Sequence, residues 1–232
     1  MNENMKNQLE DMIHDVDLTI GLLKYSNFNG GIILDVGACI GVFAERILNV
    51  YPTSTVYSFE PSAFNFPLMV NRVKGKNVVP MNIAVTNVEE EITFYQSSGL
   101  QQGVVFDSKY RQEYSEYFVD EYTVKGIPLK RAIDLIGPSL VKIDVEGYEY
   151  YYDYSDISDS VNTIVMEVHM SDIMTDGEII QGIFDDDVEK YSVIIDLLKS
   201  QGFEYAINPD YPFPWDGSWN GTSRTHLLCM TR

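Results

Sequence analysis

The chain has 232 residues, 45% of them hydrophobic, and carries 16 Lys and Arg against 35 Asp and Glu, a formal net charge of -19. That is core material for one α/β domain and too little for two. The charge repels phosphate backbones and anionic bilayers, so neither a nucleic acid nor a membrane is expected as a partner.

Met5, Leu9, Met12, Ile13, Val16, Ile20 and Leu23 recur at helical spacing. They predict an amphipathic helix within residues 1–29 that packs on a sheet or covers its open side. A glycine turn at 27–31 leads into a first strand over 31–36, apolar throughout, as a strand buried on both faces has to be. A helix over 42–50 ends at Tyr51-Pro52. A second strand over 54–59 stops at Glu60-Pro61, a helix follows over 62–73, and a third strand covers 78–85. Strand and helix alternating at this rhythm require right-handed crossovers and a parallel sheet.

Residues 91–95 and 122–124 alternate like half-exposed strands, and 96–121 is read as a variable excursion over the site. A short helix over 128–136 is broken by Gly137-Pro138. A fourth parallel strand follows over 140–145 and a fifth over 162–168. A helix over 187–200 is capped by Gln201-Gly202. Two closing strands, 203–207 and 225–231, flank an aromatic loop over 208–224 with Tyr211, Phe213, Trp215 and Trp219. That loop is either a stacking surface for a sugar or a segment packed on itself. The whole is expected to be a single domain over 1–232. Its two cysteines, Cys39 and Cys229, suggest no disulfide framework. The start of the chain has no signal-peptide stretch, and no run approaches the ~18 apolar residues of a membrane span, so a cytoplasmic location is expected.

The first strand ends in Asp35-x-Gly37-x-x-x-Gly41. Gly37 permits a sharp turn and close approach of a ligand to the backbone. Gly41 lets the next helix start tight against the strand, and Asp35 can accept from an ammonium group or a water. Glu60, at the end of the second strand, is placed to take both hydroxyls of a ribose. The spacing is not Gly-x-Gly-x-x-Gly, and no P-loop lysine is present. A ligand with a ribose but no phosphate bridge fits, and S-adenosylmethionine is such a ligand.

Residues 30–43, Ser58-Phe59-Glu60-Pro61, Asn82-Ile83-Ala84, Ile127-Pro128-Leu129, the run Lys142-Ile143-Asp144-Val145-Glu146-Gly147-Tyr148-Glu149 and Val165-Met166-Glu167-Val168-His169 resemble the FkbM-type methyltransferases. The resemblance covers roughly residues 30 to 170. It implies a class I methyltransferase fold, Rossmann-like, with a mostly parallel seven-stranded sheet and helices on both faces. It also implies S-adenosylmethionine as cofactor and, commonly, transfer to a hydroxyl oxygen. By position it implies that Asp35, Gly37, Gly41 and Glu60 hold the cofactor and that Asn82 and Ala84 flank the adenine. Ala38, Pro61 and Asp144 complete that set. Cys39 stands where the family often has Asn.

Methyl transfer from a sulfonium is an in-line displacement in which the protein supplies alignment and desolvation. A hydroxyl acceptor also needs its proton taken. Side chains alternate along a strand, so Lys142, Asp144 and Glu146 share one face, as do Glu167 and His169. The fourth and fifth strand ends bring Asp144, Glu146, Glu167 and His169 toward one pocket. Asp144 and His169 are the candidates for positioning and deprotonating the acceptor, since clustered carboxylates raise a pKa and His titrates near ~6.5. These oxygens could also hold a divalent cation. In the plainer reading, Glu146 and Glu149 open a helix and Lys142 pairs with a carboxylate. The expected acceptor is a small molecule or a glycan. The competing readings are a nucleotide-cofactor oxidoreductase, disfavoured by the missing Gly-x-Gly-x-x-Gly, and a non-enzymatic binding module on the same fold.

Overall fold

The first strand, β1 (Ile32–Val36), is buried from its second residue onward, as its unbroken apolar run requires. The structure, a computed structural model, describes residues 3–97, 103–104, 118–169, 174–175, 178–179, 184–206 and 225–232. The aromatic loop at 208–224 and most of the 96–121 excursion lie outside the described residues.

Helix α1 (Glu3–Leu22) precedes β1, and α2 (Val42–Val50) follows it. Then come β2 (Thr55–Phe59), α3 (Asn65–Arg72), β3 (Val78–Met81) and β4 (Ala84–Thr86). β5 (Glu91–Ser97), the short β6 (Gly103–Val104) and β7 (Phe118–Pro128) make up the middle. α4 (Leu129–Ile136), β8 (Leu140–Ile143) and β9 (Thr163–His169) return to the main sheet. A small ladder of β10 (Met174–Thr175) and β11 (Glu178–Ile179) precedes α5 (Phe184–Ser200), β12 (Glu204–Tyr205) and β13 (Thr225–Thr231).

Seven strands form the main sheet in the order β12-β13-β9-β8-β1-β2-β3. All pair in parallel except β13, which runs antiparallel to both its neighbours. The chain steps outward from β1 to β3 and then returns to β8 on the other side of β1. The crevice for a ligand in such a sheet opens at that reversal, over the carboxyl ends of β1 and β8.

Alternation along the strands sorts the core into two layers. Ile33, Leu140, Val165 and Cys229 face one way and pack with Phe43, Ala44 and Ile47 of α2 and Met69 of α3. Leu34, Val141, Ile143, Ile164, Met166 and Leu228 face the other way, under Ile133 of α4 and Ile194 and Leu198 of α5. The sheet is therefore covered on both faces.

Helix α1 is the expected amphipathic helix, but it lies on α2 and the turn before it. Met12 packs with Ile40 and Val42, beside Leu9, Ile13, Val16 and Cys39. Asp17 accepts from Arg46 of α2 in an exposed ion pair.

The third strand is shorter than its sequence suggests. β3 ends at Met81, and β4 leaves the main sheet to pair in parallel with β7, Ala84 opposite Gly126. The cause is Asn82, whose Nδ2 donates to the carbonyls of Glu60 (2.8 Å) and Pro61 (3.2 Å) and turns the chain there. β5 and β7 pair antiparallel along most of β5's length. With β4 and β6 they form a second, four-stranded sheet. Gly41 likewise serves a different neighbour. A Cβ there would press on Met69 and Val73 at 3.0–3.1 Å, so it lets α2 start against α3 rather than against the strand.

Candidate cofactor and transfer site

Asp35 is fully buried at the end of β1. Its Oδ2 accepts from the Ser58 hydroxyl of β2 at 2.9 Å, and its Oδ1 lies 3.4 Å from the Lys142 ammonium. The ammonium that Asp35 meets is thus supplied by the chain itself, from the neighbouring strand β8. Lys142 Nζ also donates to the Gly37 carbonyl at 2.8 Å and lies 3.1 Å from Asp144 Oδ2. Burial pushes the Asp35 carboxyl up, with Lys142 and Ser58 opposing that rise. Burial also works against charge on Lys142, but Asp144 and Asp35 overcome it and hold the ammonium above its usual range.

Gly37 makes this closeness possible. Its φ is +76°, and a Cβ there would lie 1.7 Å from the Asp144 carbonyl oxygen. The turn at the end of β1 is therefore pressed directly against the exit of β8.

The N–H groups of the turn are spent inside the protein. Gly37 and Ala38 both donate to the Phe59 carbonyl, at 3.1 and 2.9 Å. Cys39 donates to Glu60 Oε2 at 2.7 Å, and Gly41 donates to the Ala38 carbonyl at 2.8 Å. A pyrophosphate is held by such groups turned outward, and these four are turned inward.

Glu60 is nearly sealed, at 5% exposure. Its other oxygen accepts from Ser62 N at 2.8 Å. Burial pushes its carboxyl up to about 8, against the lowering influence of the Ser62 and Cys39 N–H groups. A carboxylate offers about four lone-pair positions over two oxygens. Each Glu60 oxygen receives one backbone N–H, which leaves one position on each for the paired hydroxyls of a ribose. This pair of acceptor positions fits the nucleoside half of S-adenosylmethionine.

The loop after Glu60 is tied to the second sheet. Ser62 Oγ donates to Gln96 Oε1 at 2.5 Å, Tyr122 OH donates to the same oxygen at 3.2 Å, and Ala63 N donates to Tyr122 OH at 2.7 Å. Asn82 holds the loop from the other side, while Ala84 is buried against Phe94 and Val124 in the second sheet's core. Pro61 is half-buried beside Glu60.

At the exit of β8, Asp144 is partly open, with 31% of its side chain exposed. Glu146 follows in the left-handed region at φ +53°, a conformation that concentrates at functional sites. Glu149 is buried, and its Oε2 accepts from Gly147 N at 2.9 Å, so it closes the turn instead of facing a ligand. Glu167 is half-buried on β9, one residue past the Ile143–Met166 pair that β8 and β9 share. His169 ends β9 opposite Thr225, and its side chain is outside the description. Among the described residues no group of three or more His, Cys, Asp or Glu is arranged to hold a metal ion.

Sequence reasoning placed Lys142 on the right face but missed that its ammonium bridges three backbone segments. It also missed Ser62, Gln96 and Tyr122. The signal for Lys142 was a charged residue inside an otherwise apolar strand. For the other three there was none, since their contacts join distant segments.

The chain belongs to the FkbM methyltransferase family, whose domain model matches residues 35–205. Among solved structures it is similar to magnesium protoporphyrin IX methyltransferase from Synechocystis with bound S-adenosylmethionine. That match has 11% identity and a TM-score of 0.47, and covers 100% of this chain and 85% of that one. It is also similar to a precorrin-6y methyltransferase from Geobacter metallireducens, at 10% identity and a TM-score of 0.44, covering 94% and 86%. No curated protein matches the sequence. No described helix is long and apolar enough to cross a membrane.

Proposed function

We propose that this methyltransferase acts on a hydroxyl oxygen of a small molecule or a glycan. The observation that carries the reading is Asp144. It is a partly exposed carboxylate at the sheet's ligand-binding edge, with its inner oxygen 3.1 Å from a sealed ammonium. Such a group accepts a hydrogen bond from a neutral hydroxyl and aligns its oxygen for attack.

Bound S-adenosylmethionine supplies an electrophilic methyl carbon whose leaving group is a neutral thioether. Glu60 would accept from its ribose hydroxyls, and the Gly37 turn, whose carbonyl accepts from Lys142, would support its amino-acid tail. Asn82 and Pro61 fix the loop beside the adenine. With the methyl carbon supplied by the bound cofactor and a neutral thioether as leaving group, this chain's own part would be to align the acceptor oxygen and take the hydroxyl proton on a side-chain base. We assign that base to His169, two residues beyond Glu167 on β9, and assign Asp144 to orientation. Glu146 and Glu167 border the same edge. The net charge of -19 disfavours nucleic acid as acceptor. Cys39 and Cys229, neither in a disulfide, support a reducing, cytoplasmic setting.

The test is transfer of labelled methyl to a panel of polyols, oligosaccharides, phenols, amines and carboxylic acids. The expected product is an alkali-stable ether, with Asp144→Asn slowed about 100-fold. Label appearing only in alkali-labile esters or amines would contradict the reading.

A further inference from the structure

We propose that Lys142 is a positioning residue that locks the cofactor turn and Asp144 into one unit, holding the carboxylate that meets the acceptor at a fixed place beside the cofactor. The proposal rests on the methyl-transfer reading above.

An ammonium has three protons to give, and Lys142 faces three oxygens from three different places. The Gly37 carbonyl at 2.8 Å belongs to the turn, and Asp144 Oδ2 at 3.1 Å belongs to the mouth of the site. Asp35 Oδ1 at 3.4 Å, held by charge and not by a hydrogen bond, belongs to the interior of β1. Exposure falls from the mouth inward. The side chain of Asp144 is 31% exposed, that of Lys142 6% and that of Asp35 0%. The Phe43 ring of α2 lies 5.7 Å from the ammonium and limits its swing.

Stability alone does not call for this arrangement. A buried ion pair replaced by an apolar side chain of similar length is often no less stable. What an apolar residue could not do is fasten a turn carbonyl and a mouth carboxylate to one anchor. Asp35, held in turn by Ser58, is that anchor. Among the described residues, Glu167 of β9, Glu60 after β2, Cys39 in the turn and Asp15 of α1 also act on this cluster, each through an acidic group.

Lys142→Met alone would leave Asp35 buried without a cation. The test variant is therefore Lys142→Met/Asp35→Asn, which keeps the bond from Ser58. Three quantities are measured on one preparation: thermal melting, the calorimetric Kd for S-adenosylhomocysteine, and methyl transfer to an accepted hydroxyl substrate. Melting should stay cooperative. The Kd should weaken about tenfold as the Gly37 carbonyl loses its charged donor. The turnover number should fall about 100-fold with the acceptor KM within about twofold. Adding Asp144→Asn should cost little more, because Asp144 is already out of place. A double variant with parental Kd and turnover overturns the proposal, as does a full additive loss on adding Asp144→Asn. If the double variant does not melt cooperatively, Lys142→Gln/Asp35→Asn takes its place under the same criteria. If the parent binds cofactor but methylates no hydroxyl, the methyl-transfer reading has failed. The Kd comparison then still decides whether Lys142 holds the turn, and a parental value overturns that.

Discussion

Cys39 donates its backbone N–H to the Glu60 carboxylate at 2.7 Å. The acid at the end of β2 thereby grips the turn at the end of β1 before any ligand arrives. The same oxygen pair that would receive a ribose is also what holds the turn in shape. Changes at Glu60 should therefore register in both binding and stability.

Glu60 makes the protein pH-sensitive in a defined direction. Its carboxyl is pushed up to about 8 by burial, against an ordinary 4.5. Between those values the folded protein holds a proton that the unfolded chain releases. This group's contribution to stability is fully present below about 4.5 and is lost as pH rises through about 8. Denaturant unfolding of Glu60→Gln should show a smaller loss of stability across that window than the parent. Ribose hydroxyls donate to the ionised form, so cofactor affinity should rise with pH over the same interval, with proton release visible in calorimetry across buffers. An affinity independent of pH would contradict the assignment.

Cys39 sits in the left-handed region at φ +49°. Asn tolerates that conformation better than most side chains, because its short polar group bonds to nearby backbone. Cys39→Asn should stabilise the protein by about 0.5–1 kcal/mol, which for a chain of this size is a rise of roughly 1–4 °C in melting temperature. Cys39→Val, β-branched and clashing in that region, should lower it instead. A fall for the Asn variant would show that the thiol's packing beside Asn65 outweighs the backbone effect.

Gly37→Ala should be among the most damaging single substitutions in the chain. The new methyl would fall 1.7 Å from the Asp144 carbonyl oxygen, and that neighbour is backbone. The β1 turn and the β8 exit would have to part, at a cost of about 3 kcal/mol or more, combining overpacking with strain. Circular dichroism melts and cofactor titration report the two consequences together. A variant with parental melting would refute the close approach.

Glu149 has a structural task. Glu149→Ala removes the acceptor for Gly147 N–H in a part-buried turn and should cost about 2 kcal/mol. Glu149→Gln keeps an acceptor oxygen and should cost about half as much. Unfolding curves of the two variants check the order. Equal losses would mean that the charge matters rather than the bond.

Much of the fold was legible because its signals are local. The apolar runs of β1, β8 and β9 and the 3.6-residue period of α1 name their own elements. The acid of Glu60 and the glycine of Gly37 were legible for the same reason: a strand end and a required positive φ are written in adjacent residues. The split after Met81 was not. It depends on the Asn82 amide reaching the carbonyls of Glu60 and Pro61, a contact across more than twenty positions. The packing of Gly41 against α3 and the bridge from Lys142 to Asp35 depend on which elements become neighbours. Strand order decides that, and no short stretch of sequence encodes it. Ser62, Gln96 and Tyr122 were unreadable for a related reason, since their network exists only once the second sheet docks beside the loop after Glu60.

The most direct measurement is calorimetric titration of the full chain with S-adenosylmethionine and S-adenosylhomocysteine, with Glu60→Ala alongside. The account predicts one site per chain for both ligands in the parent and loss of binding in a variant that still folds. A parent that binds neither ligand, or a Glu60→Ala protein that binds as well as the parent, would contradict it.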